Sequence, residues 1–345
     1  MKADKPVASL SLDLDNKWSY LKTHGDSGWE SFPSYLHIVV PRVLDFFKAR
    51  NLTVTFFIVG KDAALQKNHE ILRSIADAGH EIGNHSFHHE PWMHLYSREQ
   101  VETEIAVAEE HIERATGGKP SGFRGPGYSL SRSILRELAQ RGYRYDASTL
   151  PSLVAPLARA YYFTTAEFTR DQRRQRQALG GTLRDGFRPF RPYRWELDEV
   201  EIVEMPVTTM PIFRMPIHQS YLVCLGLVSP ALALTYFNMG LSMCRLSGVG
   251  PSFLLHPTDF LGYDDTQDLS FLPGMNLPRD TKMELVSEVI RRLTDQFRVV
   301  TLQQHAQEIT QIPNLRSVKP YFPNAPSSSN SPSSYKSTAL QPKER

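Results

Sequence analysis

A chain of 345 residues with 41% hydrophobic and 22% charged residues is long enough for one large α/β barrel or two ordinary domains, with a substantial core. Its formal charge is +2, but residues 313–345 hold five Lys/Arg against one Glu, so the tail carries +4 and the body −2. The basic balance therefore belongs to the tail and gives no argument for nucleic-acid binding, and the lone Cys224 and Cys244 exclude a disulfide framework or a thiolate metal site.

Met1-Lys2 passes almost at once into a strand pattern, with no apolar signal core between, so a cytoplasmic protein is expected. The run V-A-S-L-S-L-D-L-D, residues 7–15, reads as a strand ending in Asp13 and Asp15. Residues two apart in a strand share a face, so the two carboxylates look into one space. That is costly unless a cation or separate roles resolve the repulsion, although a solvated strand end would also account for a lone D-x-D. Residues 16–33 read as a long polar and aromatic loop in which Trp18, His24 and Trp29 could border a cleft.

Pro41 suits the first turn of a helix running to about Ala49, and Thr53 to Val59 is a β-branched and aromatic run typical of a buried strand. A helix over about 69–78 closes at Gly79 and leads into H-E-I-G-N-H-S-F-H-H, residues 80–89. His85 and His89, four apart with a spare His88 between them, can converge on one metal ion, whereas a loop merely rich in histidine is the plainer account. Another helix spans about Arg98 to Ala115. A short strand then enters F-R-G-P-G-Y, residues 123–128, and a helix from about Arg132 ends at Gly142 before the strand Y-R-Y-D. Strands alternating with helices of this length indicate βα units and a parallel sheet, with polar residues collecting where the strands end.

The region of about 151–200 reads as an insertion, with eight arginines and two aspartates within residues 170–194. A solvated basic face and a clamp for a phosphate or anionic lipid headgroup both fit it. Ile202 to Val207 reads as a strand. Tyr221 to Cys244 carries no charge over 24 residues, but its Pro, Gly and Asn content favours a buried core helix from near Ser229-Pro230 over a membrane span. Ser252 to Phe260 is a buried strand that delivers His256. Lys282 to Phe297 is an amphipathic helix and Arg298 to Leu302 a last strand. From residue 313 on, six prolines and eight serines mark a disordered tail, leaving 1–312 as the folded domain.

In this order L-D-L-D at 12–15, H-S-F-H-H at 85–89, R-G-P-G-Y at 124–128 and L-L-H at 254–256 resemble the motifs of the polysaccharide deacetylase family, also called the NodB-homology or carbohydrate esterase family 4 group. The resemblance covers roughly residues 7–150 and 200–310. It departs where the best-known members have adjacent aspartates followed by Gly. D-x-D-N here resembles the subgroup with peptidoglycan deacetylase-like and imidase-like enzymes and lipid-linked aminoarabinose deformylases. A clear D-x-x-x-W element is missing, and Asp146 is the nearest acidic residue.

The resemblance implies an α/β fold, a distorted (β/α)7-type barrel, and a hydrolase that removes an N-acyl group from a sugar. A divalent metal, Zn2+ first of all, would be held by Asp15, His85 and His89, lowering the pKa of a bound water and polarising the acyl oxygen. Asp13 would be the base, Arg124 would orient it, and His256 would protonate the leaving nitrogen. Gly127 and Tyr128 would assist the oxyanion, and Trp18 would border the substrate. The expected partner is a carbohydrate, with a lipid-phosphate-linked glycan precursor and peripheral contact with the inner face of a membrane as extensions. A cyclic imide or ureide hydrolase on the same scaffold and a catalytically silent glycan-binding protein are the alternatives.

Overall fold

Strand β1 (Val7–Asp13) pairs with three other strands and has a sequence that is buried on both sides: residues 8–13 are all inaccessible. In this computed structural model, which describes residues 5–154, 186–198 and 200–322, Leu10 and Leu12 join the main apolar core. The alternate residues Ser11 and Asp13 both meet Arg124, as a period of two requires.

After β1 come the helices Lys17–His24 (α1) and Leu36–Lys48 (α2), then strand Thr55–Ile58 (β2). The short helix Gly60–Ala64 (α3) and His69–Asp77 (α4) lead to strand Glu81–Asn84 (β3). Helix Arg98–Thr116 (α5), strand Gly122–Phe123 (β4), helix Arg132–Gln140 (α6) and strand Tyr145–Asp146 (β5) follow. The second half holds strands Tyr193–Leu197 (β6) and Val200–Glu204 (β7), then helices Gln219–Gly226 (α7) and Pro230–Leu246 (α8). Strand Ser252–Leu255 (β8), helix Arg279–Gln296 (α9), strand Arg298–Val300 (β9), helix Leu302–Thr310 (α10) and strand Ser317–Val318 (β10) complete it.

The strands form one sheet in the order β10-β6-β7-β5-β4-β3-β2-β1-β8, with β9 also paired to β1. All pairings are parallel except the β6–β7 hairpin. The sheet curls toward closure beyond β7, where Thr208 N donates to Ser252 O at 3.1 Å and Ser252 N to Thr208 Oγ1 at 2.5 Å. This is the expected barrel-like α/β architecture, with the β1, β3, β4 and β8 C-termini on one rim.

Several local expectations change. Residues 17–24 are helical although they show no apolar stripe, because Asn16 Oδ1 caps Lys17 N and Gly25 ends the helix at φ +97°. Pro41 lies inside α2 rather than at its start; it is exposed, so its ring sits on the solvent side while Val39, Val40, Val43, Phe46 and Phe47 are buried. Helix α10 and the β6–β7 hairpin were not expected. Helix α8 starts where foreseen, with the Ser229 side chain accepting from Leu232 N, yet only one of its faces is buried. Ordered structure continues past the boundary expected at 313: Ser317 and Val318 pair with β6, and Phe322 packs toward Trp195. Residues 155–185, most of the arginine-rich region, and residues 323–345 lie outside the described residues.

His305 on α10 is 2% exposed, its Nδ1 is 3.0 Å from Ser9 Oγ, and burial pushes its pKa down to about 4 from an ordinary 6.5. Between pH 6.5 and 4 the unfolded chain therefore binds a proton that the folded chain refuses. Stability from this group is whole above 6.5 and is lost as pH falls, by about 1.4 kcal/mol per pH unit. Against His305→Gln, the unfolding free energy of the wild type should fall more steeply on acidification across that window. Parallel denaturation curves would sink the assignment.

Candidate active site

The two aspartates at and just beyond the end of β1 resolve their repulsion by taking different partners. Asp13 Oδ1 accepts from Arg124 Nη1 at 2.6 Å, while Asp15 Oδ1 lies 2.9 Å from His89 Nε2 and 3.3 Å from His85 Nε2. Both are nearly inaccessible, at 5% and 7% exposed. Burial would raise the Asp15 carboxyl, but His89 and then His85 outweigh it and hold its pKa well below the usual range.

The histidines come from the loop after β3, which is not helical. Ser86 and His89 both adopt left-handed backbone, at φ +63° and +55°, a conformation that needs support from outside the loop. Asn84 Oδ1 accepts from Ser86 N at 2.8 Å, and Glu104 Oε1 on α5 accepts from Phe87 N at 3.0 Å and His88 N at 2.6 Å. The His88 ring also binds Glu104, at 2.8 Å, so the third histidine serves the loop and is not a ligand.

Asp15, His85 and His89 each offer one donor atom, and these atoms lie within 4.8 Å of one another. His85 Nδ1 donates to the Arg124 carbonyl at 2.6 Å, which turns Nε2 toward Asp15 as the atom that would ligate a metal. His89 Nδ1 is buried without a protein partner among the described residues. Two imidazoles and a carboxylate arranged in this way fit a divalent metal.

Arg124 is fully buried. Beyond Asp13, its Nη1 reaches Ser11 Oγ at 2.9 Å, its Nε donates to Ala147 O at 3.0 Å, and its guanidinium lies 4.4 Å over the Phe57 ring. Asp146 accepts from Ser148 Oγ at 2.6 Å, and the hydrogen bonds found for His256 go to Ser220 and Asp259 instead. Burial raises both Asp146 and its hydrogen-bond partner Glu204, Glu204 well above the usual range, so one proton stays between them.

On the next turn Gly127 and Tyr128 have φ +57° and +62°; Gly127 is exposed, and a Cβ there would meet Pro91 at 2.9 Å. Tyr128 N donates back to Gly125 O at 2.9 Å, so that N–H is engaged in the turn. Trp18 departs from expectation. It is 1% exposed and donates through Nε1 to buried Asp62 at 3.0 Å, so it supports the floor of α1 and touches no open cleft.

His256 follows β8, whose Leu255 pairs with Leu12, so it stands beside Asp13 on the neighbouring strand end. Its backbone N donates to Asp259 Oδ2 at 2.8 Å, and its Nδ1 lies 3.0 Å from Ser220 Oγ, which in turn reaches Asp259 Oδ1 at 3.3 Å. Tyr20 of α1 joins this corner through a hydroxyl bond to Thr258; burial and then the Asp15 charge keep its phenol pKa well above 10. Sequence reasoning missed Ser220, Asp259 and Tyr20. Only Asp259, three residues after His256 in H-P-T-D, left a trace, as the far end of a capping pair.

Residues 26–145 match a family model described as polysaccharide deacetylase. A peptidoglycan deacetylase of Helicobacter pylori is 27% identical over 161 residues, which is 45% of this chain and 53% of that protein. The peptidoglycan-N-acetylmuramic acid deacetylase PdaA of Bacillus subtilis is 33% identical over 105 residues, 30% of this chain and 39% of that one. The chain thus spans about half or less of the length of these two relatives. A crystal structure from Mycobacterium smegmatis, provisionally named a polysaccharide deacetylase, has a TM-score of 0.60 at 21% identity, covering 93% of this chain and 97% of that one, and shares the fold.

Proposed function

We propose that the chain, whose residues 26–145 match the polysaccharide deacetylase family model, is a metal-dependent hydrolase removing an N-acyl group, acetyl first of all, from a sugar of a glycan or glycan precursor. The observation that carries this reading is the convergence of Asp15, His85 and His89 beside an aspartate held by a buried arginine. The names of the relatives favour a peptidoglycan-type sugar, and a lipid-linked precursor falls within the proposal.

A divalent ion bound to the three donors, which we take to be Zn2+, would supply Lewis acidity toward water and the acyl oxygen. Asp13, anchored by Arg124 Nη1 and close to His85 Nε2 at 4.0 Å, takes the proton of the attacking water. The solvent-exposed turn at Gly127 would approach the developing oxyanion. His256 donates its Nδ1–H to Ser220 Oγ, whose O–H is donated in turn to Asp259. With a proton on each ring nitrogen, the imidazolium gives the one on Nε2 to the departing amine and is left neutral, while Asp13 holds the proton taken from water. The C–N bond breaks as water's oxygen joins the acyl carbon, releasing a carboxylic acid and a free amino sugar.

Asp13→Asn is the test. The variant should bind metal at the wild-type ratio while acetate or formate release from N-acylated glycans drops by about 10²–10⁴-fold, the range for a lost general base. Undiminished release would remove Asp13 from the mechanism. Wild-type protein that opens a cyclic imide but releases no acid from glycans would replace the reading with the imide hydrolase. Metal-loaded protein that binds glycan and hydrolyses neither would replace it with a binding protein.

A further inference from the structure

Helix α8 breaks the ordinary pattern of a surface helix. Ala233, Phe237, Gly240, Leu241 and Cys244 form its buried side, so the opposite side should carry charge. Instead Ala231, Leu232, Thr235, Met239, Ser242 and Leu246 are exposed there. Leu232, Met239 and Leu246, at 46%, 47% and 89% exposed, recur every seventh residue and so lie along one line of the helix. The apolar surface continues into the α7–α8 turn, where Leu227 and Val228 are 45% and 78% exposed. Beside it, the turn from Met210 to Met215 lifts Ile212 and Phe213 into solvent. That turn is fixed to α8 by the Tyr236 hydroxyl, which donates to Pro216 O at 2.8 Å. Scattered exposed apolar residues are ordinary; a helix face with no interrupting charge is not.

Charge selects the occupant. Residues 205–258 contain no Asp or Glu, and their fixed charges are Arg214 and Arg245. Arg245 lies in the last turn of α8, and Arg191 donates to Ser247 O just beyond it, so that end of the helix is cationic. On the neighbouring helix α9, Glu288 is neutralised by Arg291 and Arg292, and Arg292 Nη1 reaches Leu234 O of α8. A second copy of the chain would bring like cationic rims together, whereas anionic headgroups would neutralise them. No helix among the described residues is long and apolar enough to cross a membrane, so the face would lie in the interface.

We propose that the outer face of α8, with the Leu227–Val228 and Ile212–Phe213 turns, docks on an anionic phospholipid bilayer. Helix α7, which carries Ser220 against His256, is packed on α8, so docking would hold the His256 side of the site close to the headgroups. The surface stands apart from the hydrolase reading: protein that released no acid from any glycan would still bind vesicles.

The experiment is flotation of the full chain with phosphatidylcholine vesicles, with and without phosphatidylglycerol. At low salt, retention should be at least about tenfold greater on the anionic vesicles and should weaken as salt rises. Combining Leu232→Glu, Met239→Glu and Leu246→Glu should cut retention at least about tenfold while leaving thermal melting and acid release unchanged. If the triple variant melts early, Leu246→Glu alone decides, since that side chain is 89% exposed. Absent retention, or equal retention of wild type and variant, overturns the proposal. So does a wild-type dimer that the variant abolishes without any vesicle binding, which would assign the face to a second copy.

Discussion

His85→Ala should purify folded but bind divalent metal more than about 100-fold more weakly than wild type, with acid release lost in parallel. Loss of an outer partner alone typically costs 10–100-fold in affinity, and His85 is one of the three donors. Its Nδ1 is already committed to the Arg124 carbonyl, so the ring has one orientation, and alanine removes a preset ligand rather than a mobile one. The remaining pair, Asp15 and His89, would leave too few ligands for tight binding. Metal content by mass spectrometry after equilibration with excess Zn2+ is the first readout, and it needs no substrate. A stoichiometric ion in the variant would mean that these three residues are not the binding site. His88→Ala is the control. Its ring belongs to Glu104, so metal should stay and only the support of the loop should weaken.

Arg124→Ala should lower the unfolding free energy by about 3–5 kcal/mol, the usual cost of removing one partner of a buried ion pair. The side chains of Arg124 and Asp13 are 0% and 6% exposed, so water cannot readily replace the lost charge. Ser11 Oγ and the Ala147 carbonyl would lose their donor in the same step. Arg124→Lys should recover little, because one ammonium cannot span the separate directions that Nε and Nη1 serve. Combining Arg124→Met with Asp13→Asn should restore part of the stability, since the stranded charge is gone. Chemical denaturation of the three variants beside wild type separates these outcomes. A cost below about 1 kcal/mol for Arg124→Ala would place the pair in the range of exposed bridges and contradict its burial.

What could be read in the sequence is what strand ends announce. Asp13, Asp15, Arg124 and His256 each close an apolar run, and a parallel α/β sheet gathers such residues on one rim. The histidine spacing was legible too, although the loop that presents it depends on Glu104, a residue of α5 that looks like any other helix carboxylate until its bonds are seen. Where periodicity is silent, reading failed. Helix α1 has no apolar stripe and is held by Asn16 and by the contact of Trp18 with Asp62, so Trp18 looked like a cleft residue and is a buried prop. Ser220 lies on a helix far from His256 in sequence, and no local pattern ties the two. The helix from near Ser229-Pro230 was legible, but its exposed side was not, because hydropathy cannot tell which face of an apolar helix finds a partner.

The position of β1 also sets an order of events in time. Its early partner, β2, arrives within the next fifty residues or so, but its pairings with β8 and β9 require residues 252–255 and 298–300. At synthesis rates of about 5–20 residues per second, a growing chain would wait roughly 15–60 s with that side of its central strand unpaired. The metal-ligand loop and both aspartates belong to the part that can assemble during this wait, while His256 joins only near the end. A nascent chain could therefore offer a metal-binding half before it has any acid to complete a reaction, and the strand edge left open meanwhile is the segment most in need of a chaperone's cover.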